Sequence, residues 1–152
     1  MQIGHVHLKV ADLDRSIAFY RDVLGFELRA QMPGAAFLAD DGYHHHIGLN
    51  TWSSEGGPPA ARGTTGLFHL AILYPTREEL AVALQRVLDA GVQLSGASDH
   101  GVSEAIYLND PDLNGIELYW DRPREQWPTN GDGTVAMFTA PLDLEHLLAA
   151  AA

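Results

Sequence analysis

A chain of 152 residues, 46% of them hydrophobic, can bury one domain's core and is too apolar for disorder over most of its length. A formal charge of −11 with neutral histidine repels phosphate backbones and argues against nucleic acid as a partner. Lack of cysteine excludes disulfides and thiolate chemistry. No run approaches the roughly 18 uncharged apolar residues of a membrane span, and the N-terminus has no signal-peptide pattern, so the expected location is cytoplasmic.

Residues 3–10, IGHVHLKV, alternate: Ile3, His5 and His7 on one side, Val6, Leu8 and Val10 on the other. This spacing predicts a strand with one apolar face. Asp12 can N-cap DLDRSIAFYRDVLG, where Leu13, Ile17, Tyr20 and Leu24 recur at helical spacing and Gly25 is a natural stop. Short strands are expected around FELRAQM and AAFLAD, then a fourth over HHHIGLNTW. Residues 53–66, rich in Gly, Pro and Ser, read as a linker. The same order then returns. GLFHLAILY reads as a strand, Thr76 with Glu79 as a capping box, and Leu80, Leu84, Val87 and Leu88 as a helix stripe. Strands follow at VQLSG, EAIYLND and NGIELYW. The expected organisation is one domain of class α+β: a βαβββ module over 1–52, the linker 53–66, a second βαβββ module over 67–121, and an extension over 122–152 with a short terminal helix.

Aligning the two copies sets His5 against His69 and Gly48 against Glu117, with Ile116 and Leu118 directed to the opposite face. Packed as equivalents, the copies would turn His5, His69 and Glu117 into one concave surface. Two imidazoles and a carboxylate suit a divalent ion with open positions, typically non-heme Fe(II). A lone strand histidine is ordinarily a hydrogen-bonded core or rim residue; the repeat-equivalent placement raises these three above that.

IGHVHLKVADLDRSIAFYRDVLGFEL, GLFHLAI and EAIYLNDPDLNGIELYWDRPREQW together resemble the vicinal oxygen chelate superfamily of glyoxalases, fosfomycin and bleomycin resistance proteins and type I extradiol dioxygenases. GYHHHIGLNTW, SDHGVSEAIYLNDPD and DRPREQWP are most similar to the catechol 2,3-dioxygenase branch. The resemblance covers about residues 3–148 and implies paired βαβββ modules in an incomplete barrel around a metal, with His5, His69 and Glu117 as ligands. The implied activity is ring cleavage of a catechol-type aromatic diol by O2, in aromatic compound catabolism, by a homodimer. The ion would be Fe(II), with Mn(II) the alternative and Zn(II) or Ni(II) less fitting.

The branch also implies an acid–base histidine, a second histidine, and a tyrosine ten residues before the ligand glutamate, which Tyr107 satisfies. His100 fits the second histidine. The pattern His-x-aliphatic-small-aliphatic nominates His45 for acid–base work, whereas strand alternation from Gly48 favours His46; both are carried, with His44 as a rim residue. His7, on the face of His5, reads as lining the cavity mouth. Trp52, Trp120 and Trp127 read as packing, and His146 as structural or exposed.

Two departures from the branch stand out. Leu113 occupies a turn position usually held by Gly, and Asn114 and Gly115 are expected to absorb any positive φ. Branch members also continue into another module pair, which leaves dimerisation as one way to complete the pocket. A glyoxalase-like isomerase or lyase, and a non-catalytic resistance protein binding a small molecule, are the rival readings. Gly48, where a fourth ligand would stand, weighs against the first, while His46 could still supply a fourth ligand.

Overall fold

The computed structural model describes residues 1–151. The chain divides into two compact units, Met1–Phe68 with Asp110–Asn114, and His69–Asn109 with the chain from Gly115 onward. No helix among the described residues is long and apolar enough to cross a membrane.

The first unit contains β1 (Val6–Lys9), α1 (Leu13–Ala18), β2 (Glu27–Met32), β3 (Ala35–Ala39) and β4 (Ile47–Asn50). Its sheet has the order β1-β4-β3-β2, with β1 parallel to β4 and the other pairs antiparallel. The Asp12 carboxylate accepts from the Arg15 N–H at 3.0 Å and caps α1 as expected. After Ala18 the helix widens into a π-helical turn, Phe19–Val23, in which Phe19 and Tyr20 are both buried. Gly25, at φ 87°, then ends it. Leu8, Val10, Ile17, Tyr20, Leu24, Leu38 and Leu49 form the core, so the apolar side of IGHVHLKV faces inward as its alternation predicts.

The fourth strand is shorter than HHHIGLNTW. Tyr43 to His46 precede it in a bend that follows Gly42, itself at φ 78°. The backbone of His46 still joins the sheet, donating to Leu38 O at 2.8 Å and accepting from Val6 N at 3.0 Å. The histidine side chains nonetheless leave the alternation that a full strand would impose.

The second unit contains β5 (Leu70–Leu73), α2 (Arg77–Asp89), β6 (Leu94–Asp99), β7 (Ser103–Asn109), β8 (Gly115–Asp121), β9 (Ala140–Pro141) and α3 (Leu144–Leu148). The order β5-β8-β7-β6-β9 repeats the first sheet and adds one edge strand, with β5 parallel to β8. Thr76 caps α2 by accepting from the Glu79 N–H at 3.2 Å. Leu80, Ala81, Ala83, Leu84 and Val87 are the buried face of α2. Leu88, expected in that stripe, is 41% exposed, in the last turn of a helix that ends at Asp89.

The units match in detail. His7 pairs with Gly48 in the first, and Ala71 with Glu117 in the second. Each second strand carries a register shift at the same place, between Leu28 and Ala30 and between Leu94 and Gly96. The fold is therefore α+β with two βαβββ modules, and the register itself makes His5 equivalent to His69.

The turn Asp110–Asn114 belongs to the first unit. Asp110 is 2% exposed, and four donors satisfy its carboxylate. Oδ1 accepts from the N–H groups of Asp112 at 2.9 Å and Asn114 at 2.8 Å; Oδ2 accepts from the Tyr20 hydroxyl and Asn114 Nδ2, both at 2.9 Å. Burial, then the charge and hydrogen bond of Asp110, raise the Tyr20 phenol well above its usual range. Asp112 receives Arg15 Nη2 at 2.7 Å. With Asp112 and Asn114 both held by one carboxylate, the reversal falls on the residue between them. Leu113 itself takes φ 64°, the single non-glycine positive φ among the described residues. The expectation that Asn114 and Gly115 would absorb it is thus corrected.

A leucine in the left-handed region carries about 1–2 kcal/mol of steric strain, and its side chain is 64% exposed with little packing to lose. Leu113→Gly is expected to stabilise the fold by up to about 1 kcal/mol, after the extra freedom glycine gives the unfolded chain. Urea unfolding should show a higher midpoint at unchanged slope; a lower midpoint would mean that the strain is absent.

Candidate active site

In the second unit, parallel pairing of β5 with β8 brings the residue before β5 beside the middle of β8. His69 Nε2 lies 2.8 Å from Glu117 Oε2, with side-chain exposures of 30% and 14%. Ile116 and Leu118, on either side of Glu117, are buried on the opposite face. Tyr107 is the direct cross-strand partner of Glu117 in the β7–β8 hairpin. The spacing of ten therefore has a plain cause: it is the path up one hairpin arm and down the other. The Tyr107 hydroxyl stands 3.2 Å from Glu117 Oε1 and 2.7 Å from His100 Nε2. His69, Glu117, Tyr107 and His100 thus form one connected polar row. Burial first, then the charge and hydrogen bond of Glu117, push the Tyr107 phenol up to about 12, so it keeps its proton at neutral pH.

The first unit gathers a different set. The His5 and His45 rings lie 4.3 Å apart, and His45 meets the Phe37 ring edge-on at 5.1 Å. His44 Nδ1 is 2.7 Å from His45 Nδ1. Burial, then the neighbouring imidazoles of His5, His44, His7 and His46, lower the pKa of His45 and favour its neutral ring. His46 is turned aside: its ring stacks on Tyr43 at 4.9 Å, and its Nε2 is 3.9 Å from Asp41. Of the three consecutive histidines, His45 shares a contact with His5. His7 packs near Phe37 and Trp52 and covers Gly48, where an added Cβ would meet its Nδ1 at 2.7 Å. It also lines a cleft of about 560 Å³ along β1, together with Lys9, Ser54 and Pro58. Phe37 pairs with Gly48 as Tyr107 pairs with Glu117, so the first unit carries a ring without a hydroxyl at the equivalent place.

Among the described residues, no three His, Asp or Glu side chains are gathered into a metal-holding group. The donor set in the second unit nevertheless fits an ion. With metal–ligand bonds of about 2.1 Å, neighbouring ligands stand about 3 Å apart, close to the 2.8 Å between His69 Nε2 and Glu117 Oε2.

Supporting contacts that the sequence did not single out hold the corner carrying His100. The Arg122 guanidinium grips Asp99 at 2.7 and 2.8 Å and reaches Glu104 at 3.1 Å, while Arg77 bonds Glu104 at 2.8 Å. Asp99 in turn accepts from the Gly101 N–H at 2.8 Å. Beyond Arg122 the chain returns to this corner: the Phe138 carbonyl is 2.8 Å from His100 Nδ1. His146 bonds Arg77 through Nδ1 at 3.1 Å. Trp127 donates to Arg122 O at 2.7 Å, whereas Trp52 is 65% exposed.

The family profile of the Glyoxalase/Bleomycin resistance protein/Dioxygenase superfamily matches residues 2–118. Catechol-2,3-dioxygenase of Bacillus subtilis (strain 168) is 43% identical over 146 residues, which are 96% of this chain and 50% of that protein. The chain thus spans half the length of that relative. Lactoylglutathione lyase of Neisseria meningitidis serogroup A is 28% identical over 145 residues, 92% of this chain and 100% of the lyase. Among solved structures, a glyoxylase/bleomycin resistance protein/dioxygenase domain from Frankia sp. EAN1pec superposes with a TM-score of 0.66 at 23% identity, over 80% of this chain and 98% of that one.

Burial raises the Asp99 carboxyl pKa, but hydrogen bonds from Arg122 and Gly101 outweigh it and leave the value below the ordinary range. A depressed carboxyl pKa adds stability that is present above the unfolded value, about 3.9, and is lost as pH falls through the folded value. Asp99→Asn is expected to cost about 1–2 kcal/mol at pH 7. Denaturation at pH 7 and pH 3 should show the difference shrinking in acid; an equal difference at both would remove the ion pair from the account.

Proposed function

The chain belongs to the glyoxalase/bleomycin resistance protein/dioxygenase superfamily, and on that premise we propose that it is an extradiol ring-cleaving dioxygenase acting on a catechol-type diol with O2. The observation that carries the reading is the row His69–Glu117–Tyr107–His100, two metal-competent groups joined directly to two proton-handling ones. The 43% identity to a catechol-2,3-dioxygenase supports the same branch. His5, His69 and Glu117 would hold the ion, Fe(II) ahead of Mn(II). When bound, Fe(II) supplies chelation of both diol oxygens and a place for O2 beside them.

This chain's own residues handle the protons. His45, its neutral ring favoured, is suited to accept a proton from the diol, with His46 kept as the second candidate. Tyr107 retains its phenolic proton and can donate a hydrogen bond to a developing oxygen anion. His100, whose Nε2 lies 2.7 Å from that hydroxyl, can orient it. The proposal extends to a soluble homodimer taking small aromatic diols.

A lyase reading has one observation in its favour, the match over the whole length of a lactoylglutathione lyase. Against it stands the position equivalent to Glu117. Gly48 has no side chain, and His7 occupies the space where one would begin. A fourth protein ligand at that place is sterically closed, which suits an ion that leaves positions open for substrate.

Protein reconstituted anaerobically with Fe(II) is expected to take up O2 on mixing with catechol or 3-substituted catechols, with a yellow ring-fission product. No uptake from protein holding one ion per chain, together with turnover of lactoylglutathione, would favour the lyase. Glu117→Ala is expected to abolish metal retention; stoichiometric metal in that variant would defeat the ligand assignment.

A further inference from the structure

Both ring nitrogens of His100 are engaged, and the two partners differ in what they can do. Nδ1 is 2.8 Å from the Phe138 carbonyl, which can only accept, so Nδ1 must carry a proton. Thr139 Oγ1, at 3.5 Å from the same nitrogen, is too distant to compete. In the neutral ring, Nε2 is then an acceptor, and the Tyr107 hydroxyl 2.7 Å away must donate to it. A hydroxyl has one proton. Its other neighbour, Glu117 Oε1, stands at the longer distance of 3.2 Å, as expected if that proton is directed at His100.

The Phe138 carbonyl is held in place from three sides. The Phe138 N–H donates to His100 O at 3.3 Å. The next residues form β9, pairing Ala140 with Asp99 and Pro141 with Ser98. The Phe138 ring rests on Gly101, where φ is 77° and an added Cβ would meet Phe138 Cε1 at 2.5 Å and Pro128 Cγ at 2.8 Å. A side chain at Gly101 would lift the ring from its seat.

We infer that Phe138 is a positioning residue: its ring, seated on Gly101, presents its carbonyl to His100 and fixes the Nδ1–H tautomer, which makes Tyr107 a donor to His100 and leaves Glu117 free of that proton. A free histidine side chain prefers the opposite tautomer, with the proton on Nε2, so the strap works against an intrinsic preference. In that opposite tautomer Nε2–H would donate to Tyr107, and the hydroxyl proton would be driven onto Glu117. The catalytic consequence rests on the extradiol reading; the tautomer itself does not.

The test is a long-range 1H–15N correlation spectrum of the full chain with labelled histidine and no added metal, for the wild type, Phe138→Ala and Phe138→Tyr. The Nδ1–H pattern is expected for His100 in the wild type, a shift toward Nε2–H in Phe138→Ala, and recovery in Phe138→Tyr, which keeps the ring. Phe138 is 49% exposed, so losing its ring should leave the fold intact. An Nε2–H wild type, or a tautomer unmoved in Phe138→Ala, would overturn the inference. With Fe(II) and catechol, kcat of Phe138→Ala should fall about tenfold or more with KM changed less than twofold. A shifted tautomer with unchanged kcat would break the link to catalysis. The expected spectra from a protein that never consumes O2 with catechol would uphold the strap and reject the extradiol reading.

Discussion

The parallel pairing of first and last strand within each βαβββ unit is the constraint on which the rest depends. An antiparallel hairpin can be closed by a two-residue turn, but a parallel pair needs a crossover. Here α1 with β2 and β3, or α2 with β6 and β7, makes that crossover. The reward is that residues far apart in sequence become neighbours in register: Ala71 beside Glu117, and His69 one pleat away with its Nε2 on the carboxylate. The sheet's other face, with Ile116 and Leu118, is sealed against the core, so the polar row has a single side on which to stand.

Two copies of one frame have been filled in opposite ways. In the first unit a large side chain on β1, His7, lies beside glycine on β4. In the second a small one on β5, Ala71, lies beside glutamate on β8. The volume is conserved across the strand pair while the polar group changes strands, because the space over two adjacent parallel strands holds one bulky group and not two. The same exchange separates Phe37 from Tyr107: one ring packs on His45, while the other offers a hydroxyl to Glu117 and His100. A hydroxyl-bearing ring in the second unit and a plain ring in the first are alternative fillings of one geometry.

That duplication is why so much could be read in the chain. Alternation sets the faces of β1, capping residues mark both helix starts, and the repeat alone pairs His5 with His69. Legibility ended where side chains act outside the periodic elements. The run Tyr43–His46 precedes β4, so alternation no longer governs it, and His45 and His46 part company in ways no spacing encodes. Leu113 takes its positive φ because the Asp110 carboxylate, itself bonded by the distant Tyr20, clamps both of its neighbours, a tertiary fact. Phe138 lies 38 residues beyond the histidine it touches and acts through its backbone, which carries no residue signature.

Asp110, in the turn of the β7–β8 hairpin, and Glu117, on β8, are two carboxylates held in different ways. Asp110 is 2% exposed and takes four hydrogen bonds; its negative charge is spent in holding a turn. Glu117, on the next strand, has one oxygen against an imidazole that is itself metal-competent, and the other against a hydroxyl whose short contact is elsewhere. A carboxylate saturated by neutral donors gains nothing from a cation that would displace them, because each lost bond must be regained. Tyr107 in turn stands closer to His100 than to Glu117, and His100 is held by the Phe138 carbonyl.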